Sequence, residues 1–212
     1  KTHIALGAPT KQDTSDAHGA PLGEAEIKGL KKEFGLPEDK KFYIPDQVKE
    51  FFKSHAEEMK KERKEWEKEF KEWAEANPEL KKEWDQGLNL ELPARIKEEI
   101  MDLEIETPIA TRKSAGAALS KAFAEIPYLV GGSADLAPST KTYNEEYGEV
   151  QKGNYTGRNF RFGVREHAMG AITNGISLHK GFRPFAATFL VFSDYMRPSI
   201  RLAALMKQPV IY

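Results

Sequence analysis

The chain has 212 residues and a formal net charge of −1, so its overall charge favours neither nucleic acid nor an anionic membrane as a partner. Cysteine is absent, which excludes disulfides, thiolate metal sites and a cysteine nucleophile and fits a reducing compartment. No stretch approaches the ~18 apolar residues of a membrane span, and the N-terminus lacks a signal-peptide profile. These features favour a cytoplasmic protein.

The first zone of the chain, residues 1–52, is too small to hold a core of its own. Its pattern predicts a short strand at 2–6, a loop rich in Gly, Asp and Ser, and a helix over about 24–34. A connector at 39–45 then leads into another helix. The loop contains His18, and a lone loop histidine is usually a surface residue.

The second zone, residues 53–106, is dominated by Lys and Glu. Met59, Trp66, Phe70 and Trp73 fall on one helical face in it. Because the charges are of mixed sign, the pattern favours a solvated helix with a narrow apolar stripe over a binding surface. Asn77-Pro78 predicts a break before a second, short helix, and the zone is interpreted as an interdomain linker.

From about residue 107 the pattern alternates between helices and strands. Helices are predicted at 111–126, capped by Thr107 or Thr111, at 166–179 and at 195–206. Strands are predicted at 128–130, 159–162, 184–192 and 209–212. This alternation predicts an α/β fold with helices on both faces of a parallel sheet, and ligands of such sheets bind beyond the carboxyl ends of the strands.

Both ends of the sequence are unusual. The chain starts at Lys1 without a methionine and stops within an apolar run that ends at Tyr212. Because a buried strand is a poor place for a natural terminus, we expect the sequence to be a segment of a longer polypeptide.

The first two strand ends carry candidate site residues. Gly131-Gly132 allow either a structural turn or a close approach to a ligand, with Asp135 and Ser139 at the rim. Glu166 starts a helix, where a carboxylate usually matches the helix dipole. It can alternatively point into a cleft and exchange a proton with a heterocyclic nitrogen. His167 and His179, which have no partner at metal-ligand spacing, are interpreted as structural.

Aromatic side chains surround the third strand end. Phe189, Phe192 and Tyr195 belong either to the core or to the wall of a site for a flat ring. Arg112 lies just inside a helix start, where a cation is unfavourable unless an anion also binds there.

Together these motifs resemble the transketolase family. The matching runs are GVREHAMGA at 163–171, ATRK at 110–113, GGSADLAPS at 131–139 and TFLVFSDY at 188–195. KTHI at 1–4 and HGAPL at 18–22 are similar to the close of the family's diphosphate-binding domain. The resemblance implies the C-terminal end of that (PP) domain at 1–52, a charged helical linker at 53–106 and a pyrimidine-binding (Pyr) domain at 107–212, truncated at its C-terminal side.

The resemblance implies an enzyme that transfers a two-carbon ketol unit from a ketose phosphate to an aldose phosphate in the pentose phosphate pathway. Its cofactor is thiamine diphosphate, an electron sink. Glu166 would be the catalytic carboxyl that hydrogen-bonds the aminopyrimidine ring and stabilises its imino tautomer. Phe189, Phe192 and Tyr195 would wall that ring, and Asp135 would lie near the thiazolium.

The resemblance also implies a substrate site and a partner. Arg112 and Ser139 would hold the substrate phosphate, since a forked guanidinium suits an anion. His18 would meet both the cofactor diphosphate and the reacting end of the sugar. In the family the cofactor lies between two subunits, so the resemblance implies a homodimer with the site at its interface.

The sequence departs from the family pattern in two ways. Ala5, Ala186 and Ala187 stand where the family usually or often has glycine, and these small-for-small changes are expected to leave the site intact. No Gly-Asp-Gly motif with a downstream Asn is present, so no metal site is predicted here and the Mg²⁺ ligands are expected outside this chain. The isolated chain is therefore expected to be inactive.

Two other functions compete with the transketolase interpretation. One is a related ketol transferase such as dihydroxyacetone synthase, which Arg112 and Ser139 disfavour because they suit phosphorylated substrates. The other is a truncated pyrimidine-domain protein that serves only as an interaction module.

Overall fold

The computed structural model describes residues 2–212, which form two compact units divided after Phe70. The first unit contains helix α1 (Glu24–Glu33), most of helix α2 (Asp46–Ala76) and a 3₁₀ turn at Ser15–Ala17. The helix predicted at 24–34 and the start of a helix after the 39–45 connector are confirmed.

The strand predicted at 2–6 is wrong, because residues 4–7 form turns. The carbonyl groups of Ile4 and Ala5 accept hydrogen bonds from the backbone N–H groups of Asp13 (3.1 Å) and Ala8 (2.9 Å), so the chain folds back on itself here. Ala5 adopts a φ of 49°, in the left-handed region that glycine enters without strain. The departure from the family's glycine therefore falls at a position where the backbone favours glycine.

A buried carboxylate ties the loop of the first unit to α1. Glu26 is 8% exposed and accepts hydrogen bonds from the backbone N–H (3.1 Å) and the hydroxyl (2.5 Å) of Thr10. The Thr10 hydroxyl and N–H favour the charged form and lower the pKa of Glu26. Pro9 also packs against Gly29 of α1 so closely that a Cβ at position 29 would lie 2.3 Å from its ring.

Helix α2 is solvated along its length, as predicted, since none of its residues is buried. Its apolar stripe is half exposed: Met59 and Trp66 keep 50% and 52% of their surface accessible. Trp66 stacks on Phe70 with ring centroids 5.0 Å apart. The predicted break after α2 is confirmed, because Asn77 caps the following helix.

The second unit, Lys71–Tyr212, holds the end of α2 and the remaining helices. These are α3 (Pro78–Asn89), α4 (Ile96–Met101), α5 (Thr111–Glu125), α6 (Ala137–Thr140), α7 (Glu166–His179) and α8 (Arg197–Leu205). The helices predicted at 111–126, 166–179 and 195–206 are thus confirmed, whereas α4 and α6 were not predicted. Neither Thr107 nor Thr111 caps α5; Thr111 is already helical and Ala110 stands at the cap without a side-chain hydrogen bond.

A parallel sheet forms the centre of the second unit and confirms the α/β prediction. Strands β1 (Leu129–Ser133), β2 (Asn159–Arg161) and β3 (Arg183–Ala187) lie in the order β2-β1-β3. Ser133 pairs with Arg161 on one side and with Ala187 on the other. The three strands therefore end level with one another.

Two strands are shorter than predicted. The strand expected at 184–192 ends at Ala187, because Leu190–Ser193 forms a 3₁₀ turn. Leu190 and Val191 are 88% and 65% exposed, so this apolar run lacks the covering layer that a buried strand requires. The strand expected at 209–212 is reduced to one parallel bridge, between Ile211 and Phe185.

The paired glycines lie inside β1, so they do not form the turn that was one of the two alternatives left open by the sequence. A Cβ at Gly131 would lie 2.2 Å from the carbonyl oxygen of Phe185, and one at Gly132 would lie 2.0 Å from that of Phe160. The glycines therefore permit close approach of the neighbouring strands. The positive φ that reverses the chain belongs instead to Asp135, at 60°.

The core packs on both faces of this sheet. On one face Phe123 of α5 meets Phe185 edge to face, with ring centroids 5.6 Å apart, in a cluster with Leu129. On the other face Met169 of α7 packs with Ala186. Within residues 2–212 no helix combines the length and the apolar character needed to cross a membrane.

Candidate functional site

The level strand ends bring several candidate residues to one edge of the sheet. Asp135 follows β1, Glu166 begins the helix after β2, and Thr188 is the first residue after β3. The backbone N–H of Ala134 donates to the carbonyl of Ala187 (3.1 Å) and holds two of these ends together. This carboxyl edge is where parallel α/β sheets bind their ligands.

Glu166 is the buried ionisable group of this edge. It is 2% exposed although it stands in the first turn of α7. The Thr188 hydroxyl donates to Glu166 Oε1 (2.9 Å), and the Tyr195 hydroxyl donates to Oε2. The Glu166 backbone N–H in turn donates to the Tyr195 hydroxyl (2.8 Å). Both carboxylate oxygens therefore have donors, as a buried carboxylate needs.

The aromatic residues that follow β3 are exposed and do not belong to the core. Phe189 and Phe192 stack with centroids 6.1 Å apart and an angle of 14° between their planes. They remain 41% and 39% exposed, and Tyr195 is 49% exposed. Thr188 and Tyr195 bracket this pair in sequence, so the same short segment contacts Glu166 and presents two phenyl rings to solvent.

This arrangement suits an aminopyrimidine ring. A flat heterocycle gains dispersion and stacking energy on exposed phenyl faces, and a buried carboxylate can accept or exchange a proton at a ring nitrogen. The residues present therefore fit the ring half of thiamine diphosphate. Within residues 2–212 no group of three or more His, Cys, Asp or Glu side chains is placed to hold a metal ion.

Arg112 and Ser139 lie on two helices that pack together. A Cβ at Gly116 of α5 would lie 2.7 Å from the Cβ of Lys141, which follows α6. Since α5 leads into the start of β1, its first turn points toward the carboxyl edge. Arg112 is exposed in that turn, which contains no acidic residue, and Ser139 is half-buried in α6. A cation in the first turn of a helix, where no acidic residue accompanies it, suits an anionic ligand.

Asp135 lines a small cavity beside β1 and β2. The cavity encloses about 150 Å³ and is also lined by Tyr143, Arg161 and Arg165. Arg161 donates to Glu149 Oε1 through Nε (3.0 Å) and Nη2 (2.7 Å), and this bond lowers the pKa of Glu149. The exposed Asp135 thus shares this cavity with two arginines, of which Arg161 is paired with Glu149.

The histidines occupy different places. His18 belongs to the first unit, where it is exposed and caps the Ser15–Ala17 turn through its backbone N–H, which donates to the Ser15 carbonyl (3.0 Å). His167 follows Glu166, and its Nδ1 lies 3.1 Å from the Ser199 hydroxyl of α8. That contact fits the structural role assigned to His167. His179 ends α7, with its Nδ1 3.1 Å from the Lys180 carbonyl.

Sequence reasoning missed two of the polar contacts of Glu166. It treated Tyr195 only as a ring wall and gave Thr188 no role. Thr188 could have been found from one signal in the sequence. It is a polar residue with apolar neighbours on both sides, and it directly follows a strand at the ligand-binding edge of the sheet.

Two family models match the chain. The model for the transketolase pyrimidine binding domain matches residues 107–212, and that for the transketolase thiamine diphosphate binding domain matches residues 1–93. Among curated relatives, transketolases of Bacillus subtilis and Aquifex aeolicus are 44% and 41% identical over the whole chain.

Solved structures agree with these matches. Transketolase from Leishmania mexicana is 39% identical and superposes with a TM-score of 0.84, covering 100% of this chain and 32% of that chain. Pichia stipitis transketolase, solved in complex with sedoheptulose-7-phosphate, is 36% identical with a TM-score of 0.81 and covers 99% and 32%. This chain spans 32% of the Bacillus subtilis relative and 30% of the Aquifex aeolicus one, about a third of their length. Matched by both domain models and by full-chain relatives, this chain belongs to the transketolase family.

Proposed function

We propose that this chain supplies the aminopyrimidine-binding half of a transketolase active site. The whole enzyme would transfer a two-carbon ketol unit from a ketose phosphate to an aldose phosphate in the pentose phosphate pathway. The observation that carries the proposal is the buried Glu166 carboxylate, held by two hydroxyls beside the exposed Phe189 and Phe192 rings. Thiamine diphosphate, when bound, supplies the electron sink for breaking and forming the carbon–carbon bond.

Glu166 acts on the aminopyrimidine ring in this proposal. The acid form of its carboxyl would donate a proton to a ring nitrogen and the resulting carboxylate would then accept a hydrogen bond from that nitrogen, which would favour the imino tautomer of the ring. Phe189, Phe192 and Tyr195 stack along the ring and exclude water from this contact. Asp135 would lie beside the thiazolium.

The substrate phosphate binds to Arg112 and Ser139 in this proposal. The Arg112 guanidinium offers a planar fork that suits a phosphate, and the positive end of α5 adds to its attraction. His18 serves the cofactor diphosphate and the reacting end of the sugar. The Mg²⁺ that accompanies the diphosphate takes its ligands from outside this chain.

The partner in this proposal is a second subunit of the same protein, with the site at their interface. Apolar side chains are exposed in the two segments that carry the site: Val164, just before Glu166, is 76% exposed, and Leu190 and Val191, in the turn after β3, are 88% and 65% exposed. Exposed apolar side chains beside a ligand site are a common feature of subunit interfaces. The domain boundaries at 52 and 106 and a cytoplasmic location belong to the same proposal.

A coupled ketol-transfer assay tests the proposed function. The full-length protein that carries this chain is assayed with pentose phosphates, with and without thiamine diphosphate and Mg²⁺. The isolated 212-residue chain is assayed in parallel, alone and mixed with a separately expressed diphosphate-binding segment. We expect turnover in the full-length protein only with cofactor and none in the isolated chain. An inactive full-length protein that still associates with a partner would instead support the interaction module.

A further inference from the structure

The contact between Thr188 and Glu166 spans two different strand ends. Thr188 stands directly after β3 and its hydroxyl donates to Glu166 Oε1 (2.9 Å), in the helix that follows β2. Thr188 is half-buried and Glu166 is 2% exposed, so little water competes for this bond. A hydrogen bond to a charged group in such a place is stronger than one between neutral groups.

The second carboxylate oxygen is held differently. The Tyr195 hydroxyl donates to Oε2 and also accepts a hydrogen bond from the backbone N–H of Glu166 (2.8 Å). Its position is therefore tied to the first residue of α7. Thr188 is attached instead to the sheet and to Phe189, the first ring of the stacked pair. Thr188 begins the segment that carries the stacked pair and Tyr195 ends it, so the Thr188 bond to Oε1 is the second contact that fixes the carboxylate plane relative to this segment.

From this geometry we infer that Thr188 is a positioning residue for Glu166. By holding Oε1, the Thr188 hydroxyl stops the carboxylate from rotating and keeps its hydrogen-bonding direction toward a ring stacked on Phe189 and Phe192. The inference rests on the proposed function, because it assumes that an aminopyrimidine ring binds at this wall. It assigns to Thr188 an effect on ring recognition that a purely structural threonine would not have.

The experiment compares two ligands with the full-length protein that carries this chain. One ligand is thiamine diphosphate with Mg²⁺, and the other is an analogue in which the pyrimidine ring nitrogens are replaced by CH. Binding is measured by titration calorimetry for the wild type, Thr188→Val and Thr188→Ser. Thr188→Val removes the hydroxyl and keeps the shape, whereas Thr188→Ser keeps the hydroxyl.

We expect the wild type to prefer thiamine diphosphate over the analogue. Thr188→Val should weaken binding of thiamine diphosphate by roughly 10-fold, the effect of losing a hydrogen bond to a charged group, and leave the analogue unaffected. Thr188→Ser, which keeps the hydroxyl, should retain the wild-type preference for thiamine diphosphate over the analogue. If Thr188→Val is unstable by thermal denaturation, the pair Thr188→Ser and Thr188→Ala, which differ only in the hydroxyl, decides the question.

The possible failures are distinct. Equal weakening of both ligands by Thr188→Val would mean a structural role and would overturn the inference, as would unchanged binding of both. In either case a wild-type preference for thiamine diphosphate would leave the proposed function standing. Equal affinity of the wild type for both ligands would show that Glu166 makes no contact with the ring nitrogens, and this result would overturn both the inference and the proposed function.

Discussion

Replacing Glu166 with glutamine in the full-length protein should abolish most of the turnover while leaving the fold unchanged. Glutamine has the same shape, and the hydroxyls of Thr188 and Tyr195 can each donate or accept, so a carboxamide can satisfy both contacts. We therefore expect the free energy of unfolding to change by less than about 1 kcal/mol. A carboxamide cannot exchange a proton, and the loss of such a group typically costs about 10²- to 10⁴-fold in rate.

The assay is steady-state ketol transfer at saturating thiamine diphosphate and Mg²⁺, with thermal denaturation measured on the same samples. Glu145→Gln serves as the matched control, because Glu145 is exposed in a 3₁₀ turn of the same unit. The control should retain full activity. A Glu166→Gln rate above about half that of the wild type would refute the assignment of proton exchange to Glu166.

Two further predictions concern a substrate contact and a strained turn. Arg112→Ala should raise KM for a phosphorylated acceptor and scarcely change KM for its unphosphorylated analogue, because the lost hydrogen bond to a charged group is worth roughly 1.5–3 kcal/mol. An equal rise in KM for both acceptors would reject the phosphate role of Arg112 and would favour the dihydroxyacetone synthase alternative. Ala5→Gly should raise the free energy of unfolding by up to about 1 kcal/mol, because the relief of left-handed strain exceeds the added entropy of the unfolded chain. As the matched control, Ala25→Gly in α1 should lower the free energy of unfolding by about 0.5–1 kcal/mol. Denaturant titration measures the free energy of unfolding of both glycine variants, and a loss of stability in Ala5→Gly would contradict the prediction for that position.

The helices were predictable because their signals are local. Helix α7 begins at Glu166 and ends at His179 as predicted, since a carboxylate opens it. Its buried face, by contrast, is largely polar, so it was not marked by the spacing of apolar residues. The end of β3 was not predictable in the same way. Leu190 and Val191 have the composition of a buried strand, but whether a strand continues depends on a covering layer that the pattern of one segment does not reveal.

The candidate site shows the same division between local and distant causes. Glu166 and the aromatic residues were proposed from their motifs, each within one short run. The bond from Thr188 to Glu166 joins residues 22 positions apart on two strand ends, so it follows from the register of the sheet and not from either motif. The positive φ at Asp135 was likewise missed, because the neighbouring glycines offered a more obvious turn.

The strand spacing of β1 and β2 links the core of the second unit to the position of Glu166. Gly132 lies so close to the Phe160 carbonyl that any side chain there would force β2 away from β1. Phe160 lies in β2, and the chain reaches Glu166 six residues after it. Thr188 is fixed to β1 from the other side, through the pairing of Ser133 with Ala187. A shift of β2 would therefore lengthen the distance between the Thr188 hydroxyl and Glu166 Oε1, because the two groups are attached to opposite neighbours of β1. The glycines of the central strand thus contribute to the geometry of the carboxylate at the sheet edge through the strand spacing that they permit.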